Sequence, residues 1–561
     1  MHPPVPDRRV FIAATAASFL AATGARGAVA WTAAPWVITS RRAYDLVIRG
    51  GTLFDGLGGG GTELDLAITG GRIAASGRRL ADRGTEEIDA RGLIVAPGFI
   101  DIHSHGDGNM EEDPRQESVV RQGITTIVVG QDGSSRGPRA RAAGGEPGEP
   151  RAQSFNAVFE AIDRLQPSVN VASMIGLGSV RAAIVGEDNR LATADELARM
   201  TAMVEVALAQ GACGASSGLE YTPGAFAPVA ELIALCTPLS SRRLPYATHM
   251  RNEDDQLLDS IDESIAVSRG ARCPLQIAHL KTQGPRNWNK LDAVFARVAA
   301  ARAEGLDVAF DRYPWIAYQT GLSNLFPVWS KDGGTPAFLA RLVAPGTAAR
   351  IRTEAIGKVD LIGGWDNVLV ASARAAEDKP AEGKRFGMYA KSIGSDPYEL
   401  SVAMLRRNNG SVGMVGFAMS EENLDRILAH PYGMVCSDGG AFGTDGPTRR
   451  GSPHPRGAGS FPRVIAKYVR ERKALTLEQA IHKMTALPAS RVRLADRGIL
   501  RPGLAADVAV FDADRIADTA TYEQPFGYPV GITAVIVNGL IAVREGQRGA
   551  QRAGKALRPA P

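Results

Sequence analysis

The chain has 561 residues, with 64 Lys and Arg against 60 Asp and Glu, 44% hydrophobic and 22% charged. A net charge of +4 leaves no global electrostatic footprint for nucleic acid, and the composition excludes wholesale disorder. Four cysteines in so long a chain exclude a disulfide scaffold, while 63 glycines point to many tight turns.

In chain order, Asp7-Arg8-Arg9 opens a mildly apolar stretch ending in Ala28-Val29-Ala30, which has the small-x-small form of a signal-peptidase site. The paired arginines predict a twin-arginine-like export signal over residues 1–30. The mature protein is then periplasmic or secreted, with no membrane association after processing. Strand-like runs follow at 44–49, 64–69 and 72–75, the last two joined by Gly70-Gly71, a hairpin signal. The same texture returns at 506–511, 534–538 and 540–544. Both ends therefore predict one small β-sandwich domain, built from residues 40–96 and 497–548. The Gly-, Pro- and Arg-rich stretch 136–151 reads as a mobile loop, and residues 549–561 as a frayed tail.

The middle, residues 97–496, alternates short apolar strands with helical patterns at 193–210, 227–239, 289–304 and 476–485. Thr193, with Glu196 three residues on, and Thr476 are good N-cap types. Alternation of this kind predicts βα units and a parallel sheet. Several strand-like runs finish on a polar residue: His103 and His105, then Asp132, Glu220, His249, His279, Asp311 and Asp438, while 169–176 has none. The gaps from Glu220 to His249, His279 and Asp311 are 29, 30 and 32 residues. One βα unit needs about 30 residues, so the spacing predicts an α/β fold, a (β/α)8 TIM-like barrel. The gap of 127 residues from Asp311 to Asp438 predicts an insertion after the seventh strand, about 318–430.

His103 and His105 at i and i+2 of a strand project to the same side. Four histidines and carboxylates converging on the C-terminal face of such a barrel suit a Zn²⁺-type ion, one or two in number. An ion of this kind brings the pKa of a water it binds to about 7 and so supplies hydroxide for attack on a carbonyl. Any of these residues alone is more often structural. Their joint occurrence at regular strand-end spacing carries the reading.

The segments Ala96-Pro97-Gly98-Phe99-Ile100-Asp101-Ile102-His103-Ser104-His105, Thr248 to Glu253, Ala278-His279-Leu280-Lys281, Asp311 to Trp315, Ser437-Asp438-Gly439 and His454-Pro455-Arg456 resemble the N-acyl-D-amino-acid deacylases (D-aminoacylases) of the amidohydrolase superfamily. The resemblance spans nearly the whole chain after the leader. It implies that His103, His105 and Asp438 form one metal position, that His249 and His279 hold the tighter one, and that Asp438 is the general base and acid. It also implies that Tyr221, Lys281 and Tyr313, with Arg251 and Arg456, bind a small-molecule substrate through its free carboxylate. One departure stands out. The best-known deacylases carry a cysteine ligand after the second strand, where this chain has Gly130-Gln131-Asp132-Gly133. Glu220 is expected to take over the bridging role, with Asp132 the second choice. A carboxylate bridge widens metal choice toward Mn²⁺ or Co²⁺.

The expected reaction is metal-dependent hydrolysis of an N-acyl-D-amino acid to a D-amino acid and a carboxylate. The competing enzyme reading is a hydantoinase- or dihydroorotase-like action on cyclic amides, or on D-dipeptides. A non-catalytic binding protein has no reason to keep His103, His105, His249, His279 and Asp438 together. The four cysteines read as small buried residues.

Overall fold

The computed structural model describes residues 42–137 and 154–560. The leader 1–30 and nearly all of the loop 136–151 lie outside the described residues. Among the described residues, no helix is long and apolar enough to cross a membrane.

The two ends of the chain build one nine-stranded sheet. Its N-terminal strands run over Arg42–Leu53, Thr62–Thr69, Arg72–Gly77, Arg83–Asp89 and Ile94–Pro97. Ile94–Pro97 pairs antiparallel with Val508–Phe511, which continues through Ile532–Val537, Leu540–Arg544 and Gln547–Arg548. Gly70 and Gly71, at φ 57° and 75°, make the expected hairpin turn. A buried ion pair ties this sheet to the middle of the chain. Arg497, 3% exposed, meets Asp507, whose carboxylate also accepts from the backbone of Asn538 and, at 3.1 Å, from Asn170 Nδ2. Arg497→Leu strands that carboxylate and is expected to cost about 3–5 kcal/mol, read from urea unfolding midpoints.

The middle forms two parallel sheets. One joins Phe99–Asp101, Ile124–Val129 and Asn170–Ser173; the other joins Ile175–Gly176, Ala215–Gly218, Tyr246–His249, Leu275–Ile277, Val308–Arg312 and Gly433–Val435. Every residue of Ile124–Val129 is buried, as expected for a strand covered on both faces. Asn170–Ser173 and Ile175–Gly176 are successive pieces of one run. On the opposite side, Asp438 N donates to His103 O at 2.8 Å and His105 N to Gly439 O at 2.9 Å, joining the two sheets there.

Thr193 caps the helix Ala194–Ala209 in a full capping box with Glu196, and Thr476 caps Leu477–Met484 with Gln479. The other two helices are shorter than expected. Val229–Cys236 passes into a 3-10 turn at Thr237–Arg242, where Pro238 falls, and Leu291–Ala303 is preceded by one at Pro285–Lys290. The insertion carries its own antiparallel sheet, Ala317–Gly321, Gly413–Phe417 and Val368–Ser372, with the helix Ala348–Leu361 among its helices.

The tail is not frayed. Val171 N donates to Lys555 O and Leu557 N to Val171 O, so the tail lies along the Asn170–Ser173 strand. Ala556 and Leu557 are buried, and Arg558 covers the ring of Phe159. All four cysteines are free and buried.

Candidate metal centre

The strand-end residues converge at one end of the parallel sheets. His103, His105, Asp132 and Asp438 offer nitrogen and oxygen atoms within 4.8 Å of one another. Asp132, His249 and His279 form a second such group, and Glu220, His249 and Glu253 a third. Asp132 belongs to the first two, and its placement follows from the local chain. It sits at φ 52°, between Gly130 and Gly133, each at φ 75°. A Cβ on Gly130 would lie 2.2 Å from Met174 O, and one on Gly133 2.7 Å from Gly218 N. Only glycine fits those two places, and Asp tolerates the left-handed backbone between them.

The Asp132 carboxylate is thereby aimed among four imidazoles. It lies 3.4 Å from His103 Nε2, 3.4 Å from His105 Nε2, 3.4 Å from His279 Nε2 and 3.9 Å from His249 Nδ1. Burial opposes its ionisation, but His103 and His279 outweigh that and hold the carboxyl well below the usual range. Asp438, also left-handed at φ 50°, places Oδ1 3.1 Å from His105 Nε2, and Arg456 donates to its other oxygen at 2.7 Å. Against the pull of burial, the Arg456 charge and then His105 keep Asp438 ionised. Asp311 stands behind His103, 3.6 Å from Nδ1, and accepts from Gln276 Nε2 and the His279 backbone at 2.7 Å each.

Glu220 occupies a different place. Of the four imidazoles only His249 pairs with it, through Nε2 at 3.4 Å, on the ring edge away from Asp132. Its remaining partners come from the insertion: Asn324 Nδ2 donates at 3.1 Å and Lys358 Nζ lies at 3.4 Å. Lys358 also reaches Asp254.

A cavity of about 580 Å³ opens over this cluster. Tyr221, Lys281, Tyr313 and Arg456 line it. The Tyr221 hydroxyl meets Thr320 Oγ1 at 3.2 Å, and the buried Tyr313 hydroxyl has no hydrogen-bond partner among the described residues. Arg251, expected at the substrate, does not line this cavity. Its guanidinium pairs with Glu263 and donates to Ala225 O and Ala227 O. The expectation had also passed over Glu253, the last residue of the Thr248–Glu253 segment, and Lys358, which has no local signal because it lies 138 residues from Glu220.

The donor set fits a divalent ion. Both ring nitrogens of His103 and one Asp132 oxygen are buried without a hydrogen-bond partner among the described residues, an arrangement that costs about 1–3 kcal/mol per group unless something else binds them.

Residues 86–543 match the model of the amidohydrolase family, and the chain belongs to that family. Within it, the chain is 37% identical over 503 residues to the N-acyl-D-glutamate deacylase of Alcaligenes xylosoxydans xylosoxydans, covering 88% of this chain and 93% of that protein. It is 34% identical to the D-aminoacylase of the same organism over 92% of this chain and 97% of that one. Among solved structures, the N-acyl-D-glutamate deacylase of Bordetella bronchiseptica, complexed with zinc and a phosphonate inhibitor, superposes with a TM-score of 0.78. That pair is 36% identical, over 92% of this chain and 99% of the other. The L-hydantoinase of Arthrobacter aurescens, at 17% identity and a TM-score of 0.56 over 92% of this chain, shares the fold alone.

Proposed function

We propose that this protein is a metal-dependent hydrolase that cleaves the amide bond of N-acyl-D-amino acids. One observation carries the reading: the Asp132 carboxylate lies between the His103–His105 pair and the His249–His279 pair. We read the two parallel sheets as the arcs of one (β/α)8 barrel, and the nine-stranded sheet as the small β-sandwich domain of both termini. His103, His105 and Asp438 would hold one ion and His249 and His279 the other, with Asp132, in preference to Glu220, as the carboxylate shared between the two groups.

Zn²⁺ fits the nitrogen-rich set, with Mn²⁺ or Co²⁺ as substitutes, and supplies Lewis-acid activation of water and of the scissile carbonyl. The chain does the rest. Arg456 fixes one oxygen of Asp438, so the other takes the proton from water and returns it to the leaving amine nitrogen. The C–N bond breaks, the water oxygen completes the new carboxylate, and the amine leaves as an ammonium that carries both protons of the water. Lys281 and the partnerless Tyr313 hydroxyl receive the substrate carboxylate, with Arg456 beside them and Tyr221 across the cavity. Glu220 holds the far nitrogen of His249, as carboxylates behind metal-binding histidines do. Export of the mature enzyme, proposed from the leader, is checked by cell fractionation.

A screen of N-acetyl-D- and N-acetyl-L-amino acids with Zn²⁺, Mn²⁺ or Co²⁺ reconstitution tests the reading. Cleavage of a cyclic amide with failure on every D-substrate would replace it by the hydantoinase-like alternative. Within it, Lys281→Met is expected to raise KM about 10- to 100-fold, the worth of a charge-assisted hydrogen bond. Arg251→Ala, whose partners are Glu263 and two carbonyls, is expected to lower thermal stability and leave KM near its original value.

A further inference from the structure

A second cavity, of about 920 Å³, opens off the one above the metal centre, and Gln319, Thr320 and Gly440 line both. Gly440 comes two residues after Asp438, and a Cβ on it would meet nothing within 4 Å. The neck between the cavities is therefore open on that side because position 440 carries no side chain. Across the neck Gln319 is held in place, its Oε1 accepting from His454 N at 3.1 Å. Beyond it the walls come from residues 371–374 and 410–413 of the insertion and from the loop after Asp438.

Three Lys or Arg side chains line the second cavity, and two of them are already paired. Arg450 meets both oxygens of Glu112 at 2.8 Å, and Lys379 meets Glu382 at 2.9 Å. The guanidinium of Arg374 has no hydrogen bond or ion pair among the described residues. Its backbone is nevertheless fixed, since Asn408 Oδ1 accepts from the backbone nitrogens of both Arg374 and Ala375. A forked cation on a fixed base, with no partner of its own, matches a carboxylate.

We infer that the second cavity receives the far end of the substrate's acyl group, and that Arg374 selects acyl groups ending in a carboxylate, those of α,ω-dicarboxylic acids. The direction follows from the site. Lys281, which takes the α-carboxylate in the reading above, lies 2.7 Å from His279 Nδ1. The neck instead adjoins Asp438 and His105, whose backbone nitrogen donates to Gly439 O. An amino acid anchored at Lys281 has its acyl group toward the neck. The bond cleaved is the same amide, and the products are a D-amino acid and a dicarboxylate.

This rests on the N-acyl-D-amino-acid reading, which hydrolysis of the N-acetyl derivative tests separately, because an acetyl group ends before the neck. The N-succinyl, N-glutaryl and N-adipoyl derivatives of one D-amino acid are compared with the N-butanoyl, N-pentanoyl and N-hexanoyl derivatives of equal length. At the best-fitting length kcat/KM is expected to favour the charged member by about 5- to 15-fold, between the worth of an exposed ion pair and that of a buried charge-assisted hydrogen bond. The ratio is expected to shrink with added NaCl. Arg374→Gln is expected to bring it to about 1, and Arg374→Lys to restore part of it. Gly440→Val, which narrows the neck, is expected to lower kcat/KM for the favoured charged substrate more than for the N-acetyl one. A ratio near 1 at every length overturns the inference, as does a ratio that survives Arg374→Gln or an equal loss on both substrates in Gly440→Val. A preference for acidic over neutral D-side chains that Arg374→Gln removes would place the amino acid's own side chain in the second cavity, and overturns the assignment to the acyl group.

Discussion

Asp132→Asn is expected to empty the metal centre. The amide keeps the shape of the side chain but gives up its charge and one acceptor oxygen, and with them the one carboxylate among the described residues that reaches all four imidazoles. Removing a carboxylate that supports a metal-binding histidine from behind costs about 10- to 100-fold in metal affinity. The loss at Asp132 should exceed that range, and hydrolysis should fall with it. Glu220→Gln should stay within the range, because of the four imidazoles Glu220 reaches only the far nitrogen of His249. Metal content after dialysis against a graded chelator series separates the two. If Glu220→Gln strips the protein while Asp132→Asn stays loaded, the bridging role belongs to Glu220.

Asp438→Asn should cut kcat by about 10²- to 10⁴-fold, the usual contribution of a positioned acid–base group. The amide cannot accept the proton that has to reach the leaving nitrogen. It also leaves Arg456, 4% exposed, without its carboxylate partner, so a moderate loss of stability should accompany the kinetic effect. KM should move much less than kcat, since the substrate carboxylate is assigned to other residues. A kcat within tenfold of the original, in protein that keeps its metal, removes Asp438 from the proton path.

The regular part of this molecule could be read from its sequence because its signals are local. The intervals between Glu220, His249, His279 and Asp311 are set by the length of a βα unit, and the boxes at Thr193 and Thr476 by hydrogen bonds three residues apart. The choice between Asp132 and Glu220 was not local. It turns on the left-handed backbone at 132, imposed by the packing of Gly130 and Gly133 against Met174 and Gly218, and on Lys358 arriving from the insertion to engage Glu220. Arg251 stands apart from the cavity for a related reason. The segment that places His249 in the site also holds an arginine, but its partner is Glu263, on the helix that follows. The tail looked unstructured because nothing in its composition reveals that Val171 offers it a free strand edge.

The turn at Gly130-Gln131-Asp132-Gly133 separates scaffold from chemistry. Its path is dictated by close backbone approaches at the two glycines, and neither approach involves the side chain at 132. The protein therefore keeps an interchangeable socket at the centre of its catalytic face. A short polar side chain placed there inherits the same reach into the histidine cluster without rebuilding the walls. With Asp132 as the proposed bridge, the hardness of the bridging atom, and with it the ranking of the metals the enzyme accepts, would become a property that one codon can alter.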